Sequence, residues 1–473
     1  MKLLEPGTRV DQFVVGSCIH AGGMAHIYRV TCADAALDPG FPMVMKIPRM
    51  GTGDGAENIV SFEVEHMILP VLTGPHVPRF VAAGDLAVLP YLVMEHVQAP
   101  TLQSWLDVTP RLDINTAVQL AAALASAAHH LHTQNAVHLD IKPSNVLIRP
   151  DGSAVLLDFG LSHHAHYPDL LAEEMRKAVG SNTYMAPEQV VGVRGDPRSD
   201  IFAIGALLYT MVTGEYPFGE PETQGGLRQR LWMEPPPPRS LRAEVPPWLQ
   251  EIILRCLQPL AQQRYPTAAH LAFDLTHADR VIVTERGLRI KGSGWLALLK
   301  RWVQAAGLHY QPSPLPTEHI ARMPIVMVAL PHRDVSEATL LVLRHAAARA
   351  LGTYAGQGEH SRLACVSVIS PHDTNSTDEA HSETNVHLRH LARMQAWAKP
   401  LQLSAQQVSF HVLESGDVAG ALVSYARGNH VGILVMGAAT HGLQFQAIIH
   451  TVPIKVAMQA PCTVILVKPP ETT

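Results

Sequence analysis

The stretch VHLDIKPSNVLI, residues 137–148, is answered by LLDFG at residues 156–160. Asp140, Lys142 and Asn145 lie in a loop framed by apolar residues, and Asp158 follows the apolar run Val155-Leu156-Leu157. Two carboxylates and an amide on neighbouring loops, bracketed by short buried strands, suit the holding of a divalent cation on a polyphosphate beside an acceptor hydroxyl. Phosphoryl transfer asks for positioning, charge neutralisation and a group to orient the incoming hydroxyl, and for little covalent chemistry. Mg²⁺ prefers oxygen ligands and keeps waters, so one Asp, one Asn and phosphate oxygens make a sufficient cage.

The order H-x-D-x-K-x-x-N and then D-F-G resembles the catalytic and metal loops of the eukaryotic-like (Hanks-type) serine/threonine protein kinases, which are also widespread in bacteria. By that resemblance Asp140 orients the substrate hydroxyl and accepts its proton, and Lys142 contacts the γ-phosphate. Asn145 and Asp158 hold Mg²⁺ (or Mn²⁺). A lone loop Asp more often caps a turn, but both loops in this order and spacing are not explained that way. Leu139 stands where many of these kinases carry the arginine that clamps a phosphorylated activation loop, and leucine cannot make that clamp.

Working outward, residues 10–30 read as a β-hairpin around a glycine-containing turn. In the kinase pattern this is the phosphate-covering loop, with Gly22 and Gly23 present but His20 and Ala25 at the positions of the first and third glycines. Lys46, in the short strand MVMKIP, matches the lysine that holds the α- and β-phosphates. Its partner on the next helix is Glu65 rather than Glu63, by the F-x-x-E spacing. Met94 then guards the back of the pocket, and the backbone of Glu95 and Val97 bonds the adenine edge. Residues 113–132 show a helical apolar stripe with Asp113 placed as N-cap. Beyond D-F-G, GSNTYMAPEQ resembles the end of an activation segment. There Thr183 ties the segment to the catalytic Asp and Lys, Glu188 pairs with Arg264, and Asp200 anchors the catalytic loop.

At 473 residues the chain is too long for one core. Hydrophobic residues at 47% against 16% charged describe a globular protein, and a formal net charge of −5 gives no reason to expect nucleic acid. Cys18, Cys32, Cys256, Cys365 and Cys462 form no C-x-x-C pair and read as reduced thiols of a cytoplasmic protein. No run approaches the roughly 18 apolar residues of a transmembrane segment. The clusters His129-His130-x-His132 and His163-His164-x-His166 lack zinc-type spacing and read as surface histidines.

Residues 281–320 read as a linker: an amphipathic helix, GWLALLKRWVQAAG, with Trp295, Leu298, Leu299 and Trp302 on one face, then the stiff spacer QPSPLP. From residue 321 the period changes. PIVMVAL, RLACVSVIS, QVSFHVL, VGILVMG and CTVILVK read as strands separated by helices, among them 336–351 and 417–427, which argues for a parallel sheet. This part resembles the universal stress protein family. Its nucleotide loop G-x-x-G-x₉-G-[ST] survives only as Gly437 and Thr451, with Thr440 and His450 at the other glycines. Leu330 replaces the acidic residue after the first strand.

The reading is an α+β two-lobed protein kinase fold over residues 1–280 and an α/β doubly wound domain of universal stress protein type over 321–473. The function implied is ATP-dependent phosphorylation of protein Ser and Thr hydroxyls, that of a non-specific serine/threonine protein kinase. The C-terminal domain regulates it or forms a homodimer through its last strand. One alternative is a pseudokinase scaffold, motivated by His20 and Ala25; another makes the stress-protein half the principal function and the kinase its regulator.

Overall fold

A computed structural model describes residues 4–49, 56–85, 89–167, 169–171, 183–221, 223–292, 301–302, 325–331, 336–355, 361–369, 383–403, 407–429, 431–438 and 451–468. Strands β1 (Arg9–Val10), β2 (Phe13–Ala21), β3 (Ala25–Cys32), β4 (Met43–Pro48), β5 (Phe80–Ala83) and β6 (Leu92–Glu95) form an antiparallel sheet ordered β1-β2-β3-β4-β6-β5. Side chains alternate across a strand. Met43, Met45 and Ile47 of β4 therefore enter the outer core with Phe13 and Tyr28, while Val44, Lys46 and Pro48 face the cleft. Helix α1 (Ala56–Ile68) lies beside this sheet and brings Glu65 to the same cleft.

The second lobe is mostly helical. In α2 (Ile114–His132), Asp113 is the N-cap, its carboxylate accepting from the amides of Asn115 and Thr116 at 2.9 and 3.2 Å. The buried stripe Ala117, Leu120, Ala121, Leu124, Ala128 and Leu131 faces the core. Helix α3 (Arg198–Thr213) is buried along its whole length, as a helix apolar on nearly every face must be. Around these sit the short strands β7 (Ala136–Val137), β8 (Val146–Ile148), β9 (Ala154–Leu156) and β10 (His163–His164). The pairs β8–β9 and β7–β10 present the two catalytic loops.

Residues past the expected boundary at 280 still belong to this lobe. Glu251 Oε2 accepts from the amides of Thr284 and Gly287, and Gln250 Nε2 donates to the carbonyls of Arg286, Gly287 and Arg289. Of the expected linker helix only Arg301 and Trp302 are described; both are helical, and Arg301 pairs with Glu234 at 2.7 Å. Trp295, Leu298, Leu299 and the proline-rich spacer lie outside the described residues.

Strands β11 (Ile325–Leu330), β12 (Arg362–Ile369), β13 (Val408–Glu414), β14 (Val431–Gly437) and β15 (Thr463–Val467) form a wholly parallel sheet ordered β13-β12-β11-β14-β15. Val326, Val328 and Leu330 face helices α4 (Glu337–Ala355) and α5 (Glu383–Ala398). Ile325 and Met327 face α6 (Val418–Gly428) on the other side. The sequence shows β11, β12 and β14 as apolar runs because both their faces are covered. It does not show α5, whose residues are polar on average.

Candidate active site

Lys46 Nζ donates to Glu65 Oε2 at 2.5 Å and to Asp158 Oδ1 at 3.0 Å, so a strand, a helix and the D-F-G loop meet at one ammonium. Of the two glutamates on α1, Glu65 is the one that reaches Lys46. Burial would lower the Lys46 ammonium, but Asp158 and Glu65 outweigh it and raise it. Burial would likewise raise the Asp158 carboxyl, yet the charge and hydrogen bond of Lys46, helped by Lys142, hold it down to about 2. Asp158 is therefore ionised at neutral pH.

Gly160 follows as a close-packed position. A Cβ there would lie 2.1 Å from Ser61 Oγ and 3.1 Å from the Ser61 carbonyl, so a larger residue would have to turn the Ser61 side chain and push α1 slightly away from the loop. Phe159 is buried, its ring 5.2 Å from that of His138.

In the catalytic loop, Lys142 Nζ lies 2.7 Å from Asp140 Oδ2, and Asn145 Nδ2 donates to the Asp140 carbonyl and to Oδ2, both at 3.0 Å. Burial raises the Asp140 carboxyl, Lys142 pulls it back, and Asp158 adds to the rise; the net direction is up. A raised carboxylate is a stronger base, which suits a group that takes a proton. Leu139 and Asp158 both hold left-handed backbone, at φ 64° and 63°. For residues with a Cβ that conformation costs about 1–3 kcal/mol and persists only where the surroundings enforce it. At Leu139 the enforcement is visible: Asp200 accepts from the amides of His138 and Leu139 at 2.9 and 2.8 Å, and Gln189 Nε2 donates to the Leu139 carbonyl at 2.9 Å.

Two histidines complete this support, and sequence reasoning gave them no part in it. His132 Nε2 donates to Asp200 Oδ2 at 2.9 Å, fully buried. Burial would raise the Asp200 carboxyl, but that bond and the charge of His132, with His138, keep it below the usual range. His138 accepts from the Asp140 amide at Nδ1, so its proton is on Nε2, which donates to the Leu157 carbonyl at 3.0 Å. The expectation of surface histidines is thus corrected for His132 and His164, both buried, His164 within β10. Among the described residues no group of three or more His, Cys, Asp or Glu side chains could hold a metal ion by itself.

The cleft between the lobes encloses about 600 Å³. Gly22, Gly23, Lys46, Glu65, Met94, Glu95, Val97, Lys142, Asn145 and Asp158 line it, as does His20. Gly22 turns the β2–β3 hairpin with its amide on the Ala25 carbonyl, and a Cβ at Gly22 would meet His20 Nε2 at 2.8 Å. The Glu95 amide donates to the Arg79 carbonyl at 2.8 Å, so any adenine contact of Glu95 runs through its carbonyl.

Below the cleft, Arg264 grips Glu188 in a buried bidentate pair at 2.6 and 2.8 Å, with Ser199 Oγ adding a bond to Glu188 at 2.7 Å. Both side chains are buried, unlike the solvated pair that spacing alone would allow. Thr183 is half-buried beside Tyr184. Among the described residues the hydrogen bonds of Asp140 and Lys142 stay within the catalytic loop, and none reaches Thr183.

The family model for the protein kinase domain matches residues 37–274, half of the chain. The chain belongs to the protein kinase family. Residues 326–468 match the universal stress protein family, so the kinase domain is followed by a second, α/β domain. The kinase is 26% identical over 265 residues to a probable serine/threonine-protein kinase of Clostridium perfringens, covering 56% of this chain and 38% of that protein. It is 27% identical over 278 residues to the serine/threonine-protein kinase PknB of Mycolicibacterium smegmatis, covering 56% and 42%. The corresponding PknB of Mycobacterium tuberculosis is 25% identical over 286 residues, covering 58% and 44%. The chain therefore spans less than half the length of these relatives. The kinase family implies use of ATP and a divalent metal.

Proposed function

We propose that this kinase transfers the γ-phosphate of ATP to serine and threonine hydroxyls of proteins. The observation that carries the reading is the Lys46 ammonium held between Glu65 and Asp158 while Lys142 and Asn145 are bonded to Asp140. These side chains come from four separate segments and close around one cleft, which no single structural role requires. That assembly gives no support to a pseudokinase scaffold, although His20 and Ala25 remain at two glycine positions.

In this reading Lys46 orients the α- and β-phosphates, and Lys142 approaches the γ-phosphate. Asp140 receives the hydroxyl proton of the substrate. The donor set fits Mg²⁺ or Mn²⁺, which would supply neutralisation of phosphate charge: Asp158 is an ionised oxygen donor, and Asn145 lines the cleft with Nδ2 committed to Asp140, which leaves Oδ1 as its oxygen donor. Preference for Ser and Thr rests on Lys142 within D-I-K-P-S-N, on Thr183, and on the names of the relatives. Incubation of the purified chain with labelled ATP and a generic basic protein should show transfer that disappears in Asp158→Ala. Equal labelling by that variant would refute the reading.

A homodimer through the stress-protein domain has its own support. Strand β15 is the sheet's edge, Leu466 on it is exposed, and an exposed edge recruits a partner strand. Light scattering should give a dimer that Leu466→Lys dissociates; a monomeric wild type would refute this. The five cysteines are free thiols, which supports a reducing, cytoplasmic setting. No described helix is long and apolar enough to cross a membrane.

A further inference from the structure

The chain beyond D-F-G leaves the cleft and meets the stress-protein sheet. Strand β10 anchors its start by pairing with β7. Farther on, the ring of Tyr167 lies 3.7 Å from the guanidinium of Arg362, the first residue of β12. Arg362 Nη1 also donates to the His166 carbonyl. The Asp169 amide donates to Asn429 Oδ1, at the end of α6. Arg362 and Asn429 are both buried in this contact.

The contact continues toward the chemistry. The carboxylate of Asp169 receives Arg194 Nε at 2.8 Å on each oxygen, and Arg194 Nη2 donates to the Leu161 carbonyl at 2.9 Å, next to Gly160. A line of hydrogen bonds thus runs from Asn429 through Asp169 and Arg194 to the Leu161 carbonyl, three residues past Asp158. On the other lobe, α5 of the same domain packs against α1, the helix that carries Glu65. The stress-protein domain therefore touches two parts that frame the site, α1 and the start of the activation segment.

Leu139 gives this contact its meaning. A kinase with arginine there can fix the segment through a phosphate; here that position is a buried leucine bonded only through its backbone. The Lys46–Glu65 and Lys46–Asp158 bonds are made while the domain is docked, so docking accompanies an assembled site and not a disrupted one.

We propose that the stress-protein domain is a built-in positioning element: Arg362 and Asn429 hold His166, Tyr167 and Asp169 and thereby order the backbone that follows D-F-G, in place of a phosphate clamp. The inference rests on the kinase reading for its rate measurement, and hydrogen exchange tests it independently. In the full chain, Arg362→Ala and Asn429→Ala should each lower kcat about tenfold with KM for ATP changed less than about threefold, a usual size for coupling between sites. Arg362→Lys keeps a cation over the ring and Tyr167→Phe keeps the ring, so both should recover most of the rate, whereas Tyr167→Leu should not. The exposed Arg427→Ala should match wild type. Exchange across residues 163–171 should quicken in the two alanine variants, and Asn429→Ala carries the test if Arg362→Ala does not fold. Unchanged exchange, or a kcat equal to or above wild type in both alanine variants, overturns the proposal. Absence of transfer in wild type refutes the kinase reading and leaves the exchange result to decide this one.

Discussion

The cleft between the kinase lobes and the C-terminal end of the parallel sheet are both places where their folds can take a nucleotide, and they differ in what lines them. The cleft encloses about 600 Å³ with Lys46, Glu65 and Asp158 in direct contact. The cavity at the ends of β11 and β12 encloses about 220 Å³, below the roughly 300–1,000 Å³ of small-molecule sites. Leu330, Met394 and Trp397 line it, and its Arg344 is committed to the Trp397 carbonyl at 2.9 Å. Open α/β sheets offer a crevice at their strand ends by topology alone. Charge and glycine decide whether such a crevice is used, and in this chain the contacting charged set is the one in the kinase cleft.

The largest expected effect separates chemistry from binding within the cleft. Asp140→Asn should lower the transfer rate by about 10²–10⁴-fold with ATP affinity nearly unchanged, because Asp140 serves the proton and not the phosphates. Turnover close to wild type would reassign the base. Next, Arg264→Ala leaves Glu188 buried without its partner and should destabilise the kinase lobe by about 3–5 kcal/mol. In denaturant the kinase transition should move and the parallel sheet's should stay; a common shift would mean that the two domains unfold as one.

A pH profile sharpens the contrast further. Asp140 must be deprotonated to act and its carboxyl is raised, so the rate should fall as pH drops through a value above the ordinary carboxylate range. Lys142→Met removes the cation that opposes this rise and should move the acid limb to still higher pH. A limb that stays in place assigns the titration to another group.

The smallest effects are the expected nulls. With Leu139 unable to clamp phosphate, phosphatase treatment should change the initial rate by less than about twofold, and a large loss regained on autophosphorylation would contradict that. Calorimetry of the full chain with ATP should count one site per chain. A second saturable site would dissolve the contrast between cleft and sheet.

The sequence by itself was enough for features carried by short spacings. Lys46, Asp140, Lys142, Asn145 and Asp158 lie in motifs of a few residues, the Asp113 cap precedes its stripe, and the parallel strands read as apolar runs, those at the centre of the sheet because both their faces are covered. Choosing Glu65 over Glu63 rested on the F-x-x-E spacing that resembles the kinase pattern. Tertiary structure alone decided which distant groups are buried together. His132 meets Asp200 across 68 residues, and Asn429 meets Asp169 across 260. Nothing in the spacing of His163-His164-x-His166 says that His164 is buried. A hydrogen bond between buried side chains depends on the approach of two backbones that have no common local pattern, whereas a motif is itself the local backbone.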